Sequence, residues 1–181
     1  MKTVTWRPGT NKDLDQIFDS YRIEQYKDTD HKLSKNYSSE FYNFSIALTI
    51  AFNDNDEPEI CSSIASRDCW PKGAYRILSR LWKTKNYRIT HSKFISEAMV
   101  GNARSQIAWL EQNTDCKLYF ISRETGNWMR WTAEHFDSQY GLKFIIAPNK
   151  YLTCPNECDN SCWQHIIYNG NKTILKKWKQ R

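Results

Sequence analysis

No apolar run in the 181 residues reaches the roughly 18 that a membrane-crossing helix needs, which excludes a helical anchor. The opening residues, Met1-Lys-Thr-Val-Thr-Trp-Arg-Pro8, lack the apolar core of an export signal, so a cytoplasmic chain is expected. No stretch repeats and no low-complexity linker interrupts the chain, which argues against a repeat array or two tethered modules. The length suits a single domain, 1–181, with one proper core and a basic tail over 171–181. Neither Ser122 nor any cysteine has a base at a recognisable spacing, which speaks against a covalent nucleophile.

What the chain does carry is positive charge, aromatics and cysteine. A formal charge of +6 favours an anionic partner such as a nucleotide, a nucleic acid or an acidic substrate, though it also serves plain solubility. Aromatics make up 14% of residues, enough to supply both a core and part of a binding surface. In a cytoplasmic chain the six cysteines are expected to be reduced. Cys154, Cys158 and Cys162, with His165 just beyond, could offer three sulfurs and an imidazole to zinc. The run is a single cluster rather than two knuckles, so free thiols in a loop shaped by Pro155 and Asn160 are the simpler reading.

Periodicity orders the elements. Thr3 to Trp6 forms a short strand, ended by Pro8-Gly9. Thr10 or Asn11 caps a helix whose Leu14, Ile17, Phe18 and Tyr21 share one face. Residues 27–39 are polar and irregular, a loop or a short helix. Ser45 to Phe52 alternates as a strand, and Asn53 to Pro58 turns the chain into a second strand over Glu59–Ser66. Arg67 to Gly73 leads to a third strand, Ala74–Lys83. A long helix from Ser92 to about Gln112 follows, its stripe formed by Ile95, Met99, Ala103, Ile107 and Leu110. Gly101 within it marks a close contact or a break. Lys117–Ser122 reads as a buried strand, and Thr125-Gly-Asn opens a helix with Met129, Ala133, Phe136 and Tyr140 inward and Gly141 as its stop. Phe144–Ala147 and Gln164–Tyr168 are further strands. The strand–helix–strand crossover in the middle implies one parallel pair in a mostly antiparallel sheet.

This order, together with Asn127, Ala133, Phe136 and Gly141, resembles the GNAT (N-acetyltransferase) superfamily and its Asn…Ala-x-x-Phe-Tyr-x-x-x-Gly-Phe helix. The resemblance implies an α+β fold: a mixed sheet of about seven strands, helices on both faces, and central strands that splay apart. It also implies acetyl-CoA or another acyl-CoA in that splay, its pyrophosphate on the N-terminus of the following helix, and Asn127 beside the cofactor. The function implied is transfer of an acyl group to an amine. There are two departures. The family's glycine loop falls at Arg88–Lys93, where no glycine stands, so Arg88, Thr90, Ser92 and Lys93 would hold phosphate through side chains and helix amides. Where the family has a tyrosine that protonates the leaving thiolate this chain has Asp137, which points either to another donor, such as Tyr140 or Tyr151, or to a reaction other than ordinary acetyl transfer. His91 and Glu124 are the candidate bases, and the amide near Leu81 or Trp82 is the candidate oxyanion donor. A non-catalytic binding module on the same fold is the reading the departures support.

A second stretch is also similar to a known family. Arg80-Leu-Trp82 followed by Arg88-x-Thr-x-Ser-x-Phe-Ile95 resembles the phage Mom proteins, GNAT relatives that modify adenine in DNA, with His91 in place of their glutamate. That likeness implies a DNA acceptor in place of a small-molecule amine, and host cytoplasm as the compartment.

Overall fold

The apolar alternations and helical stripes become seven strands and three helices among the residues that the computed structural model describes, 1–26, 44–68, 70–83, 97–123, 126–147 and 165–170. In chain order they are β1 (Lys2–Trp6), α1 (Lys12–Tyr26), β2 (Ser45–Phe52), β3 (Pro58–Ala65), β4 (Ala74–Lys83), α2 (Glu97–Asn113), β5 (Leu118–Arg123), α3 (Gly126–Tyr140), β6 (Ile145–Ala147) and β7 (His165–Gly170). The fold is mixed α+β, in the element order expected from the sequence. The loop after α1, the start of the expected second helix at Ser92, the cysteine loop and the basic tail lie outside the described residues.

Two compact units divide the chain, Met1–Ala65 with Leu78–Trp109, and Ser66–Ile77 with Leu110–Arg181. In the first unit the strand order is β1-β2-β3-β4; in the second it is β4-β5-β7-β6, β4 being shared end to end. In the first unit β1 and β3 each pair antiparallel with β2. The turn between β2 and β3 is closed by Asn53, whose Oδ1 accepts from the amides of Asn55 and Glu57, both at 2.9 Å.

The first unit buries both faces of its strands, and the two faces differ in chemistry. Successive strand residues point to opposite sides. On one side Trp6, Leu48, Ile50, Phe52, Cys61 and Trp82 pack with Phe18, and the apolar stripe Leu14, Ile17 and Tyr21 of α1 closes over them. Phe18 meets Trp6 and Trp82 edge-to-face at centroid distances of 6.0 and 4.9 Å. Asn11 is the residue that caps α1: its Oδ1 accepts from the Leu14 amide at 3.2 Å. The other side carries Thr3 and Thr5 of β1, Thr49 of β2 and Ser62 of β3, which face α2 through Gly101, Asn102, Ser105 and Gln106. Gly101 marks a close contact, since a Cβ there would stand 3.0 Å from Thr3 Oγ1.

In the second unit β4 and β5 run parallel through Ala74–Leu118, Tyr75–Tyr119 and Arg76–Phe120, while β7 pairs antiparallel with both β5 and β6. Phe136 of α3 is fully buried and meets Phe144 at 5.5 Å with the two rings tilted by 49°, and Phe144 also meets Tyr119. Gly73 starts the parallel pair. Its carbonyl accepts from the amides of Lys117 at 2.9 Å and Leu118 at 3.1 Å. Its φ is +83°, and a Cβ there would stand 3.0 Å from the backbone oxygen of Asp115. Gly73→Ala is therefore expected to destabilise by about 1–3 kcal/mol, seen as a drop of several degrees in thermal unfolding followed by circular dichroism. Gly9→Ala, at φ +82° but with nothing within 4 Å, is expected to lose less. Equal losses in the two variants would show that the Asp115 carbonyl yields freely.

Candidate functional site

Strand β4 departs from regular β geometry where the first unit takes it over. Leu78 and Arg80 lie in the left-handed region, at φ 51° and 53°. A bulky non-glycine residue there costs on the order of 1–3 kcal/mol, and β4 holds two within three residues. Ile77, Leu78 and Ser79 are all buried there, so the bend sits inside the packed body of the protein. Each left-handed residue breaks the regular course of the strand, the second immediately before Leu81.

Hydrogen bonds from buried side chains hold this kink. Gln106 Oε1 accepts from the Leu78 amide at 2.7 Å. Gln106 Nε2 donates to Thr49 Oγ1 at 3.0 Å and to Ser62 Oγ at 2.9 Å. Ser63 Oγ donates to the Ser79 carbonyl at 3.2 Å. Thr49, Ser62, Asn102 and Gln106 are wholly buried. Thr5 shares hydrogen bonds with Thr49 at 2.9 Å and Ser105 at 2.7 Å, and Asn102 Nδ2 donates to Ser62 at 3.0 Å. Asn102 Oδ1 finds no hydrogen-bond partner among the described residues, and nothing in the structure explains it. One hydrogen bond contributes a net ~0.5–1.5 kcal/mol, less than the strain of two left-handed residues. Packing must supply the rest, and Leu78 and Trp82, at 6% and 1% exposure, are the anchors.

Gln106 and Asn102 are absent from the sequence-derived stripe of α2, which follows apolar residues alone. Met99, Ala103 and Leu110 of that stripe are buried, and Ile107 is only half-buried. A signal was present: Met99, Asn102, Gln106 and Leu110 recur at steps of three and four, the spacing of one helix face.

Among the residues singled out from the sequence, Trp82 is a core side chain against Phe18, so only its backbone is available to a ligand. Leu81 is half-buried beside it. Tyr140 ends α3, half-buried, its ring edge-on to His135 at 5.6 Å. The helix stops there as the amides of Gly141 and Leu142 turn back to the carbonyls of Asp137 and Phe136. Asn127 is the second residue of α3. Arg88, Thr90, His91, Ser92, Lys93 and Glu124 lie outside the described residues, as do Tyr151, Cys154, Cys158 and Cys162. His165 opens β7 opposite Arg123 of β5. Among the described residues no group of three or more His, Cys, Asp or Glu could hold a metal ion. No helix among them is long and apolar enough to cross a membrane.

No family model matches the sequence, and no curated protein matches it. The fold has solved counterparts. It is similar to an acetyltransferase of the GNAT family from Staphylococcus aureus Mu50, with a TM-score of 0.53 and 13% identity over 93% of this chain and 99% of that one. It is also similar to an acetyltransferase from Streptococcus agalactiae 2603, with a TM-score of 0.50 and 12% identity over 93% of this chain and 98% of that one. At such identities the likeness is one of fold, and function rests on the site.

The described cysteines fit no nucleophilic role. Burial pushes the Cys61 thiol up to about 12 and the Cys116 thiol up to about 11, so both are neutral near pH 7. Because the folded value of Cys61 lies above its ordinary 9.0, its contribution to stability is complete below pH 9 and is lost as the pH climbs toward 12. Two outcomes are expected. Iodoacetamide at pH 8 leaves Cys61 unmodified in peptide mapping of the native protein. Between pH 8 and 11 the wild type loses about 2 kcal/mol more unfolding free energy than Cys61→Ala, measured in urea. Rapid native alkylation at Cys61, or matching losses in the two proteins, would contradict the assignment.

Proposed function

We propose that this protein is an acyltransferase that moves an acyl group from an acyl-CoA to an amine. The observation that carries the reading is the kinked stretch Leu78–Trp82 of β4, in a fold shared with acetyltransferases. Strain of that kind persists only where the surroundings hold it, and it gathers where backbone groups meet ligands. Backbone amides turned out of a ladder suit a thioester oxygen, which gains negative charge as the amine attacks. The buried surroundings, with Trp82 at 1% exposure, strengthen such donors by excluding water.

When bound, acyl-CoA supplies the activated carbonyl. The amides of Leu81 and Trp82 donate to its oxygen. Arg88, Thr90, Ser92 and Lys93 hold the phosphates, with Asn127 beside the cofactor; two cations and two hydroxyls match that donor requirement without a glycine loop. His91 or Glu124 takes the proton of the attacking amine, and Tyr140 returns one to the leaving sulfur. The net exchange is one new carbon–nitrogen bond for one broken carbon–sulfur bond. Tyr140 is given the acid's role because Asp137 stands where the related enzymes have their tyrosine, and Asp137 is exposed on α3.

The reading is tested by calorimetry with acetyl-CoA. Wild type is expected to bind, and Arg88→Ala and Lys93→Ala are each expected to weaken binding about 10-fold, the value of a lost charge-assisted hydrogen bond. Unchanged affinity in both variants removes these residues from the site, and no binding by the wild type removes the function. The +6 charge keeps an anionic acceptor in play. Affinity for duplex DNA that falls steeply with salt, together with a mass change on nucleosides digested from the DNA of expressing cells, would place the amine on a nucleobase.

A further inference from the structure

We propose that Gln106 is a positioning residue: from within α2 it holds the kink of β4 and so aims the amides of Leu81 and Trp82. The inference deepens the acyltransferase reading and rests on it. Three features single out this side chain. It is wholly buried, so its carboxamide sits where an unmatched group is expensive. Its oxygen takes the amide of Leu78, the first left-handed residue of the strand, at 2.7 Å. Its nitrogen is committed to Thr49 and Ser62 on two neighbouring strands, at 3.0 and 2.9 Å.

The double anchorage gives the arrangement direction. A carboxamide has one acceptor end and one donor end. The Leu78 amide can only donate, which obliges the oxygen to face β4 and leaves the donor end to the two hydroxyls, which accept. The Leu78 amide is thereby drawn toward α2 instead of along a ladder, and the chain must recover its course over the next residues. Arg80 makes that recovery at φ 53°, and Leu81 and Trp82 follow immediately. The orientation of two reacting-site amides is thus set by a residue that touches neither substrate nor cofactor. The rest of the network points the same way, since Ser63 holds the Ser79 carbonyl between the two left-handed residues.

The test compares wild type with Gln106→Met, which has similar volume but no acceptor, and Gln106→Glu, which keeps an oxygen in the same place. Two readouts are used: hydrogen exchange at the Leu78 amide, and the isotope-edited infrared carbonyl band of bound [1-13C]acetyl-CoA. In wild type the band is expected below its position in free acetyl-CoA. In Gln106→Met the Leu78 amide should exchange at least about 10-fold faster, and the band should return toward the free value. Gln106→Glu keeps an acceptor for the Leu78 amide but lacks Nε2, so it should fall between wild type and Gln106→Met in both, a partial rescue that a merely space-filling role would not give. Turnover, where an amine acceptor is found, should fall about 10- to 100-fold in Gln106→Met with little change in KM for acetyl-CoA.

A bound band that keeps its wild-type position in Gln106→Met overturns the inference and leaves the acyltransferase reading intact. If wild type binds no acetyl-CoA, that reading fails and the positioning role falls with it. Leu78 exchange then still reports whether Gln106 holds the kink. Should Gln106→Met not fold, Ser62→Ala and Thr49→Val take its place, each removing one partner of Nε2. Intermediate shifts support the proposal, and wild-type behaviour in both overturns it.

Discussion

A buried carboxamide hydrogen-bonded at both ends is the constraint on which the first unit depends. Gln106 reaches β2, β3 and β4 from one position on α2, with every contact at 3.0 Å or less. Hydrophobic contacts tolerate small slides, because burial is non-directional. Hydrogen bonds in a dry interior do not, because a misplaced polar group loses its partner and cannot recover it from water. Helix α2 therefore has one depth and one rotation on the strands. Gly101 permits that depth by presenting no side chain to Thr3.

The two faces of the same strands divide the work. The α1 face is built from large apolar side chains around Phe18, and it supplies non-directional burial. The α2 face has little apolar area of its own at Thr5, Thr49, Ser62, Asn102 and Gln106, and it supplies directionality instead. β4 takes part in both. Trp82 packs against Phe18 on one side, while the Leu78 amide is held by Gln106 on the other. A strand fixed from two directions at residues four apart can sustain two left-handed residues between and at those points. A regular ladder could not hold them.

The second unit solves a different problem, that of starting a parallel pair. Parallel strands cannot be joined by a tight hairpin, so the ends have to be brought together by something other than a turn. Here the Gly73 carbonyl accepts two amides at the entry to β5, and a Cβ at this position would press on the Asp115 carbonyl at 3.0 Å. Trp70 closes over Phe120 at 5.0 Å from the same connection.

Local pattern was enough for much of this. The alternation of Ser45–Phe52, the stripe Leu14–Ile17–Phe18–Tyr21, the turn at Asn53 and the stop at Gly141 were all legible, because each depends on neighbours within a few positions. The crossover rule extended that to one parallel pair. The inward-facing Gln106 was not legible. Its spacing fits the buried face, but hydropathy alone assigns a glutamine to water, and the partners that make its burial possible lie 57, 44 and 28 residues away. The bends at Leu78 and Arg80 were hidden for the same reason, since a leucine and an arginine in an apolar run read as ordinary strand. Sequence alone thus determined which segments become helix or strand and in what order. Only the tertiary structure decided which polar groups go inside and where the backbone leaves its regular path, because both require hydrogen bonds between residues that meet only after folding.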